Sequence, residues 1–347
     1  MSYDADVGIV GGGPAGTAAA ITAAGSGMRV RLYERASFPR NLPGETLHPG
    51  VGVLLAALGV DVRVTAASAY RHAGVFVDWG GNRSVQPFGQ DEQGPWLGYQ
   101  ILRRDLDRIL MDRALELGVD IRQPVGPVRV RVEDGRVVGL REPAGETRYR
   151  FLIDASGRAG FLRRGLALPS QVASPPLRVA YGYRAGDPDA LRETPTLVGD
   201  ASGWAWMAQV APGLVHWTRL AFDGSKVEGP PRALADLPPI GPTKGADVSW
   251  NRVVAAAGAG YFIAGDAAMV LDPVASNGTL RALLSGMRAA RSIEAVRVGA
   301  VPEARATGNY DRWLADWFDH NVRQLDSLYR ELRPVHSPYF HQGESLA

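Results

Sequence analysis

Apolar and polar positions follow a clear pattern near the start of the chain. Two short, mostly apolar runs, Val7–Val10 and Arg29–Tyr33, have the length and composition of buried strands. Between them lie a glycine-rich turn, Gly11–Gly16, and an alanine-rich stretch, Thr17–Gly27, which is long enough for about three turns of helix. The order strand, turn, helix and strand predicts a βαβ unit and therefore an α/β fold of the doubly wound class.

The rest of the chain mixes helical and strand periods. Arg104–Gly118 and Tyr310–Leu332 show helical spacing, whereas Phe151–Ala155 and Tyr261–Ala264 are buried strands by their composition. Between residues 170 and 250, short strands alternate with Pro/Gly turns, which predicts a mostly antiparallel sheet. We therefore expect a Rossmann-type nucleotide-binding domain interleaved with this sheet and followed by C-terminal helices. The predicted divisions are 1–70, 98–168 and 251–300 for the discontinuous nucleotide-binding domain, 71–97 and 169–250 for a substrate-binding sheet domain, and 301–347 for a C-terminal helical segment.

Composition narrows the function classes. Of the 347 residues, 46% are apolar and 21% are charged, and the formal charge is only +2. This balance is ordinary for a globular protein and predicts neither nucleic-acid nor membrane binding. The chain has no cysteine, which excludes disulfides, thiolate metal sites and relays through a cysteine pair, and we predict no metal. The acidic N-terminus does not resemble a signal peptide, so we expect a cytoplasmic protein without a membrane span.

The turn Gly11–Gly16 satisfies the pattern G-x-G-x-x-G directly after a strand and before a helix. Its glycines permit a tight turn and close backbone approach to phosphate, and the positive helix end favours an anion. Glu34 ends the second strand, where a carboxylate accepts hydrogen bonds from ribose hydroxyls. We predict dinucleotide binding, against the alternative of a purely structural turn. The candidate ligands are Gly11, Gly13, Pro14, Ala15, Gly16, Glu34 and Arg35.

Three further segments indicate which dinucleotide is bound. They are Arg103–Leu110, Leu152–Arg158 and the stretch from Ala264 to Gly278, which contains Gly-Asp and Asp-Pro-x-x-Ser-Asn-Gly. With the glycine turn, in this order, they resemble the FAD-dependent monooxygenase superfamily of the p-hydroxybenzoate-hydroxylase fold. Flavin-dependent halogenases and geranylgeranyl reductases belong to the same structural group. The resemblance covers roughly residues 5–300 and implies FAD as the cofactor.

The resemblance also implies roles for single residues. Arg103 would reach the phosphate or ribityl region of FAD, Asp266 would accept a ribityl hydroxyl, and the backbone of Ser276, Asn277 and Gly278 would face the pyrimidine edge of the flavin. Taken singly, Asp266 could equally cap a helix, and Arg103 could be a solvated surface arginine. The remaining implied cofactor residues are Asp154, Gly157, Gly265 and Pro273.

The segment Pro43–Pro49 resembles a Gly-Glu loop of the halogenase-like branch that lies beside the flavin. It would place two titratable candidate residues, Glu45 and His48, near the reacting part of the flavin. Histidine titrates near neutral pH, so His48 is a candidate for proton transfer. The alternative is a stiff loop in which Glu45 caps or orients the backbone.

Two tryptophans and a missing lysine bear on the reaction. Trp204 and Trp206 match half of the halogenases' Trp-x-Trp-x-Ile-Pro motif, and strand spacing places both on one sheet face, lining a substrate pocket or filling the core. Those halogenases also place a catalytic lysine after the Gly-Glu segment. Here Lys226 and Lys244 are the only lysines, and neither lies between Pro49 and Trp96. We therefore rank halogenation below other reactions.

The leading expectation is an FAD-dependent monooxygenase that hydroxylates an electron-rich aromatic substrate through a C4a-hydroperoxyflavin. NAD(P)H or a separate reductase partner would supply electrons. A narrower resemblance, to enzymes that hydroxylate tryptophan in peptide-derived quinone cofactor maturation, implies an indole or peptidyl-tryptophan substrate, a peptide or protein partner and a wide, open cleft. The alternatives are a geranylgeranyl-type reductase of alkenes, a halogenase, and a non-catalytic flavin-binding assembly factor.

Overall fold

The computed structural model describes residues 3–40, 42–143 and 145–332. Its strands, in chain order, are β1 (Ala5–Val10), β2 (Val30–Tyr33), β3 (Thr46–Leu47), β4 (Tyr70–His72), β5 (Gly74–Trp79), β6 (Asn82–Pro87), β7 (Gln90–Asp91), β8 (Gly94–Pro95), β9 (Gly98–Gln100), β10 (Asp120–Arg122), β11 (Arg129–Glu133), β12 (Arg136–Glu142), β13 (Gly145–Asp154), β14 (Ser170–Val172), β15 (Arg178–Ala185), β16 (Thr196–Asp200), β17 (Gly203–Ala211), β18 (Leu214–Ala221), β19 (Pro239–Asp247), β20 (Asn251–Val253), β21 (Ala257–Gly258), β22 (Tyr261–Ile263) and β23 (Met269–Val270).

The helices connect these strands. They are α1 (Pro14–Gly25), α2 (Gly52–Ala57), α3 (Asp61–Ala67), α4 (Arg103–Glu116), α5 (Phe161–Gly165), α6 (Asp189–Glu193), α7 (Gly278–Arg297) and α8 (Glu303–Leu332). Short 3₁₀ turns lie at Pro49–Val51, Gly157–Ala159, Arg232–Leu234, Gly265–Ala267 and Pro273–Ala275. The predicted helix at Tyr310–Leu332 is longer than expected, because a polar first turn precedes its apolar stripe.

One sheet carries the predicted βαβ unit. Its strand order is β10-β2-β1-β13-β12-β11, and β22 adds to the other side of β13. The pairs of β1 with β2 and β13, of β2 with β10 and of β13 with β22 are parallel. Central parallel strands are covered on both faces, which explains why Val7, Ile9 and Phe151 are fully buried.

A second sheet has seven strands in the order β19-β15-β18-β17-β16-β5-β6, antiparallel except for the pair β16–β5. A smaller sheet, β3-β9-β4, connects the loop after β2 to the seven-stranded sheet through the chain that follows β4. This small sheet was not predicted, because strands of two or three residues have no measurable period. The predicted α/β fold class, with a nucleotide-binding sheet, a mostly antiparallel second sheet and C-terminal helices, is confirmed.

Helices α1 and α7 pack closely beside the first sheet. A side chain on Gly286 of α7 would overlap the carbonyl group of Ala15, and one on Gly16 would overlap the carbonyl group of Gly11. Small residues at these points therefore allow the helices and the turn to approach one another. No helix within residues 3–40, 42–143 and 145–332 is long and apolar enough to cross a membrane.

Candidate functional site

The glycine turn, the Asp-Ala-Ser-Gly segment and the Gly-Asp segment meet at the carboxyl ends of the parallel strands. A side chain on Gly11, whose φ is +109°, would overlap the carbonyl group of Ala155. A Cβ on Gly265 would lie 2.9 Å from the Cβ of Ala15. Segments that are far apart in sequence thus converge at one helix N-terminus, where open α/β sheets bind their ligands.

Glu34 organises this turn. Its buried carboxylate accepts hydrogen bonds from the backbone N–H groups of Gly12 (2.7 Å) and Ala36 (2.8 Å) and forms an ion pair with Arg40 (3.1 Å). The same carboxylate retains acceptor capacity for a hydroxyl group, as the dinucleotide pattern requires. Its neighbour Arg35 is exposed.

Arg40 and Arg103 share one buried carboxylate, that of Asp107. Arg40 Nε lies 3.2 Å from Asp107 Oδ2, Arg103 Nη2 lies 3.0 Å from Oδ1, and Arg103 also donates to the carbonyl oxygen of Pro43 (3.2 Å). A Cβ on Gly13 would lie 3.3 Å from Arg40 Nη2, so a cation stands beside the glycine turn. Sequence reasoning missed Arg40 and Asp107; the i,i+4 spacing of Arg103 and Asp107 on α4 was the available signal.

Asp154 has a structural role in the turn that follows β13. Its carboxylate accepts hydrogen bonds from the backbone N–H groups of Ser156 (2.9 Å) and Leu162 (2.7 Å). Burial raises its pKa. Gly157 adopts a φ of +64° in the same turn, which favours glycine. Asp154 thus shapes the backbone, and we assign it no hydrogen bond to a ligand.

Asp266 is the carboxylate that this region leaves accessible. Its side chain is 44% exposed and lies 3.8 Å from Arg158 Nε. The preceding residue, Gly265, has a φ of +63° and donates its N–H to the hydroxyl oxygen of Ser285 (2.9 Å). Because Gly265 touches α1 at Ala15, Asp266 stands next to the glycine turn with oxygens able to accept from a polyol. The turn, Glu34, Arg40 and Asp266 together fit a dinucleotide.

The loop from Asp272 to Gly278 is held from two sides. Asp272 accepts hydrogen bonds from the N–H of Val274 (2.9 Å) and from the hydroxyl group of Tyr329 (2.5 Å), and burial raises its pKa to about 6. Pro273 is exposed, Ser276 has a φ of +50°, and Asn277 is the residue before α7. The loop therefore presents its backbone at a helix N-terminus and is anchored to α8.

Glu45 and His48 lie in one loop but make different contacts. Glu45 is buried; it accepts a hydrogen bond from the hydroxyl group of Tyr183 (2.5 Å) and from the N–H of Gly44 (2.8 Å). Burial and the charge of Glu45 raise the pKa of Tyr183. His48 Nδ1 accepts from the N–H of Gly50 (3.0 Å), so the neutral ring carries its proton on Nε2; burial lowers its pKa. Both side chains therefore order the loop, and proton transfer by His48 stays a prediction.

A cavity of about 300 Å³ lies beside this loop and the Asp272–Gly278 loop. Trp206 lines it, whereas Trp204 donates its indole N–H to the hydroxyl oxygen of Tyr329 (2.8 Å). The two tryptophans share a sheet face as predicted, but only Trp206 borders the cavity. The residues that line it are Thr46, His48, His72, Val75, Val77, Trp79, Gln86, Phe88, Leu197, Trp206, Val274, Ser276, Leu328 and Glu331.

The polar groups of this lining include no lysine. Lys226 is almost fully exposed in its loop, and Lys244 is exposed on β19. His72 is buried in the wall; burial, followed by the charges of Arg71 and His48, lowers its pKa to about 4. Within residues 3–40, 42–143 and 145–332, no group of three or more His, Asp or Glu side chains could hold a metal ion.

Comparisons with known proteins agree with this geometry. Residues 4–177 match the family model described as FAD binding domain. The 1H-pyrrole-2-carbonyl-[peptidyl-carrier protein] brominase of Pseudoalteromonas luteoviolacea (strain 2ta16) is 30% identical, over 83% of this chain and 77% of that protein. The chain belongs to the flavin-dependent halogenase family.

Other relatives fit the same family. The tryptophan 2-halogenase of Chondromyces crocatus is 29% identical over 98% of this chain and 70% of that protein. Among solved structures, the myxobacterial chondrochloren halogenase CndH superposes with a TM-score of 0.85 at 24% identity, over 98% of this chain and 85% of that chain; at this identity the likeness shows the fold.

Membership of this family corrects one part of the sequence analysis. The monooxygenase superfamily and its halogenase-like branch are confirmed, as is a flavin-dependent oxidoreductase. The narrower resemblance to peptidyl-tryptophan hydroxylases is wrong, since the relatives are halogenases. Ranking halogenation low on the missing lysine alone gave that single position too much weight against the whole chain.

Proposed function

We propose that this protein is an FAD-dependent halogenase of a small, electron-rich aromatic substrate. The observation that carries the proposal is the position of the cavity: it is bordered by Thr46 and His48 of the Gly-Glu loop and by Ser276 of the loop before α7. These are the two segments that the family resemblance places beside the flavin. The relatives' names, a tryptophan halogenase and a pyrrolyl-carrier brominase, support an aromatic substrate.

The cofactor would be held by groups that are already in place. The backbone of the glycine turn would bind the pyrophosphate, with Arg40 as the nearby cation, Glu34 would accept from ribose and Asp266 from the ribityl chain. The N–H groups at the start of α7 would face the flavin ring. When bound, reduced FAD would supply two of the four electrons that reduce O₂; the halide ion would supply the other two as it is oxidised to hypohalous acid, and the second oxygen atom would leave as water.

The protein's own residues then confine and orient the reactants. The halogenation step forms a carbon–halogen bond and breaks an aromatic C–H bond; the released proton and the hydroxide of the hypohalous acid leave as water. Trp206, Val75 and Val77 give the cavity an apolar wall that excludes bulk water. The hydrogen bond between Tyr329 and Asp272 fixes the loop that carries Ser276. Because this loop would lie between the flavin and the cavity, fixing it would keep the distance between flavin and substrate constant.

The substrate and the electron donor belong to the same proposal. The cavity volume of about 300 Å³ is at the small end of ligand pockets, so we propose either a free aromatic compound or a ring presented on a carrier protein. Because residues 3–40, 42–143 and 145–332 show one glycine-rich dinucleotide turn, we propose that a separate reductase delivers reduced flavin, with NAD(P)H oxidised there.

A second candidate is hydroxylation of the same ring. The absence of lysine among the residues that line the cavity favours it. The test supplies the protein with FAD, a flavin reductase, NADH, O₂ and bromide, and offers tryptophan, indole and pyrrole-2-carboxyl thioester on a carrier protein. Mass spectrometry of the product distinguishes the candidates. A product with the two-isotope bromine pattern supports halogenation; a product heavier by one oxygen atom, without bromine, supports hydroxylation.

A further inference from the structure

The three-stranded sheet β3-β9-β4 contributes polar side chains to the cavity wall. Register places Thr46 opposite Gln100 and His72 opposite Gly98. Residues 98 and 100 are two apart, so these side chains share one face of the sheet. Thr46 and His72 line the cavity. This face is therefore a polar strip within a largely apolar pocket.

The strip contains three polar atoms without a hydrogen bond. His72 is only 2% exposed, and neither of its ring nitrogens has a partner among the residues that the structure describes. The same is true of Nε2 of Gln100, whose Oε1 accepts from the hydroxyl group of Thr46 (2.8 Å). Buried polar groups without partners are costly, and folded proteins satisfy most of them. Three such atoms on one face of one small sheet indicate a ligand site.

A glycine and an aromatic ring pack against the imidazole of His72. A Cβ on Gly98 would lie 2.5 Å from His72 Nε2, so the glycine makes the space that the imidazole occupies. Phe88 packs edge-on against both His72 and His48, with ring centroids 5.5 and 5.0 Å apart, and shields the pair from water. Both ring nitrogens are buried in the structure, so a ligand in the cavity would bond to one of them after the ring rotates about its Cβ–Cγ torsion, which is broad in histidine.

Only His72 of the two histidines has an unoccupied acceptor. His48 Nδ1 already accepts the N–H of Gly50. The low pKa of His72 keeps its imidazole neutral at pH 7, with one N–H donor and one lone pair. A neutral, buried acceptor suits an uncharged donor group and disfavours a carboxylate.

We propose that His72 anchors the substrate by accepting a hydrogen bond from an N–H or O–H group attached directly to the aromatic ring. This rests on the proposed function for the substrate class. Tryptophan and pyrrole, the ring systems in the relatives' names, both carry a ring N–H. Accepting that hydrogen shifts electron density into the ring, which favours attack by the ring carbon on an electrophilic halogen.

The test measures binding and needs no turnover. Two size-matched probe pairs, indole with benzothiophene and 2-naphthol with naphthalene, are titrated calorimetrically into FAD-loaded wild type and His72→Phe. We expect wild type to prefer the N–H or O–H probe by about 10- to 100-fold, and the variant to prefer it by less than about threefold. The indole pair and the naphthol pair separate ring N–H from ring O–H. An equal preference in both proteins would overturn the proposal.

A second readout protects the test from a folding artefact. His72→Phe replaces unsatisfied atoms with apolar ones, so its melting temperature at pH 7.5 should equal or exceed that of wild type. In ¹⁵N-histidine NMR, indole should shift one His72 ring nitrogen and benzothiophene should not. A large fall in the melting temperature, or no shift with indole, would show that the imidazole serves the fold and would contradict the proposal. Probe discrimination without any halogenated product would reject only the proposed function.

Discussion

Two regions of this molecule treat their buried polar groups in opposite ways. Around the glycine turn, the carboxylates of Glu34, Asp107 and Asp154 all have backbone or arginine partners. In the small sheet that contributes Thr46 and His72 to the cavity wall, His72 and Gln100 keep polar atoms without partners among the described residues. The buried carboxylates of the first region are therefore satisfied within the protein, and we propose that this region holds the cofactor. The second would be completed by a substrate in the cavity, as we propose for His72.

The largest effect should come from the cofactor region. Gly16→Ala places a methyl group against the carbonyl group of Gly11. We expect the free energy of unfolding to fall by about 3 kcal/mol and FAD affinity to fall by at least about 100-fold. Flavin fluorescence titration and urea unfolding measure the two quantities. Gly25→Ala is the matched control on the same helix, because nothing lies within 4 Å of its added Cβ; a similar loss there would refute the close-packing explanation.

The buried histidine of the cavity wall should change how the free energy of unfolding depends on pH. The pKa of His72 in the folded protein is about 4, below its ordinary value of 6.5. The contribution of the buried, neutral imidazole to the free energy of unfolding is therefore complete above pH 6.5 and is lost as the pH falls towards 4. When the pH is lowered from 7.5 to 5, the free energy of unfolding of His72→Phe should therefore rise by about 2 kcal/mol relative to that of wild type. Urea unfolding at the two pH values measures this difference, to which Asp272 contributes little because both proteins contain it. Parallel pH profiles would mean that His72 is not buried in its neutral form.

An intermediate effect is expected where α8 joins the two regions. Tyr329→Phe removes the hydroxyl group that donates to Asp272 and accepts from Trp204. The free energy of unfolding should fall by about 1 to 2 kcal/mol, since a buried carboxylate loses a partner. Tyr181→Phe serves as the control, because its hydroxyl group forms no hydrogen bond with another described residue, and it should change the free energy of unfolding by less than about 0.5 kcal/mol. If Tyr329→Phe and Tyr181→Phe lowered the free energy of unfolding equally, the Asp272–Tyr329 contact would have no special role in stability.

The smallest effect should come from the lysines. Both lie outside the cavity lining and are exposed. A double variant, Lys226→Arg with Lys244→Arg, should form product at a rate within about twofold of wild type. A rate lower by a factor of ten or more would show that a lysine amine takes part in the reaction. The cavity, whose lining contains no lysine, would then not be the place where the substrate reacts.

The sequence allowed prediction of the cofactor region because its structure depends on local backbone geometry. Gly11, Gly265 and Glu34 have their roles through turns and strand ends, which a short pattern contains. Arg40 and Asp107 were missed because their pairing spans 67 residues in sequence. The role of Asp154 as a backbone acceptor was missed for a similar reason, since Leu162 reaches it only after the chain has turned.

The cavity could not be predicted in the same way. His72 carries no motif, and its importance follows from burial by Phe88 and from the glycine at position 98, neither of which a single sequence reveals. The two tryptophans were correctly placed on one face by strand alternation, but only packing against α8 separated Trp204 from Trp206. Local periodicity predicts to which face of a strand a side chain points. Which residues that side chain contacts depends on tertiary packing.

The proposed halogenation of an aromatic ring by this FAD-binding protein can be tested directly. The most direct measurement is the mass spectrum of the product formed from indole under ¹⁸O₂, with bromide present and a reductase supplying reduced FAD. We expect a product that contains bromine and no ¹⁸O, because the oxygen atom of the hypohalous acid leaves as water. A product that contains ¹⁸O and no bromine would contradict it and establish a hydroxylase.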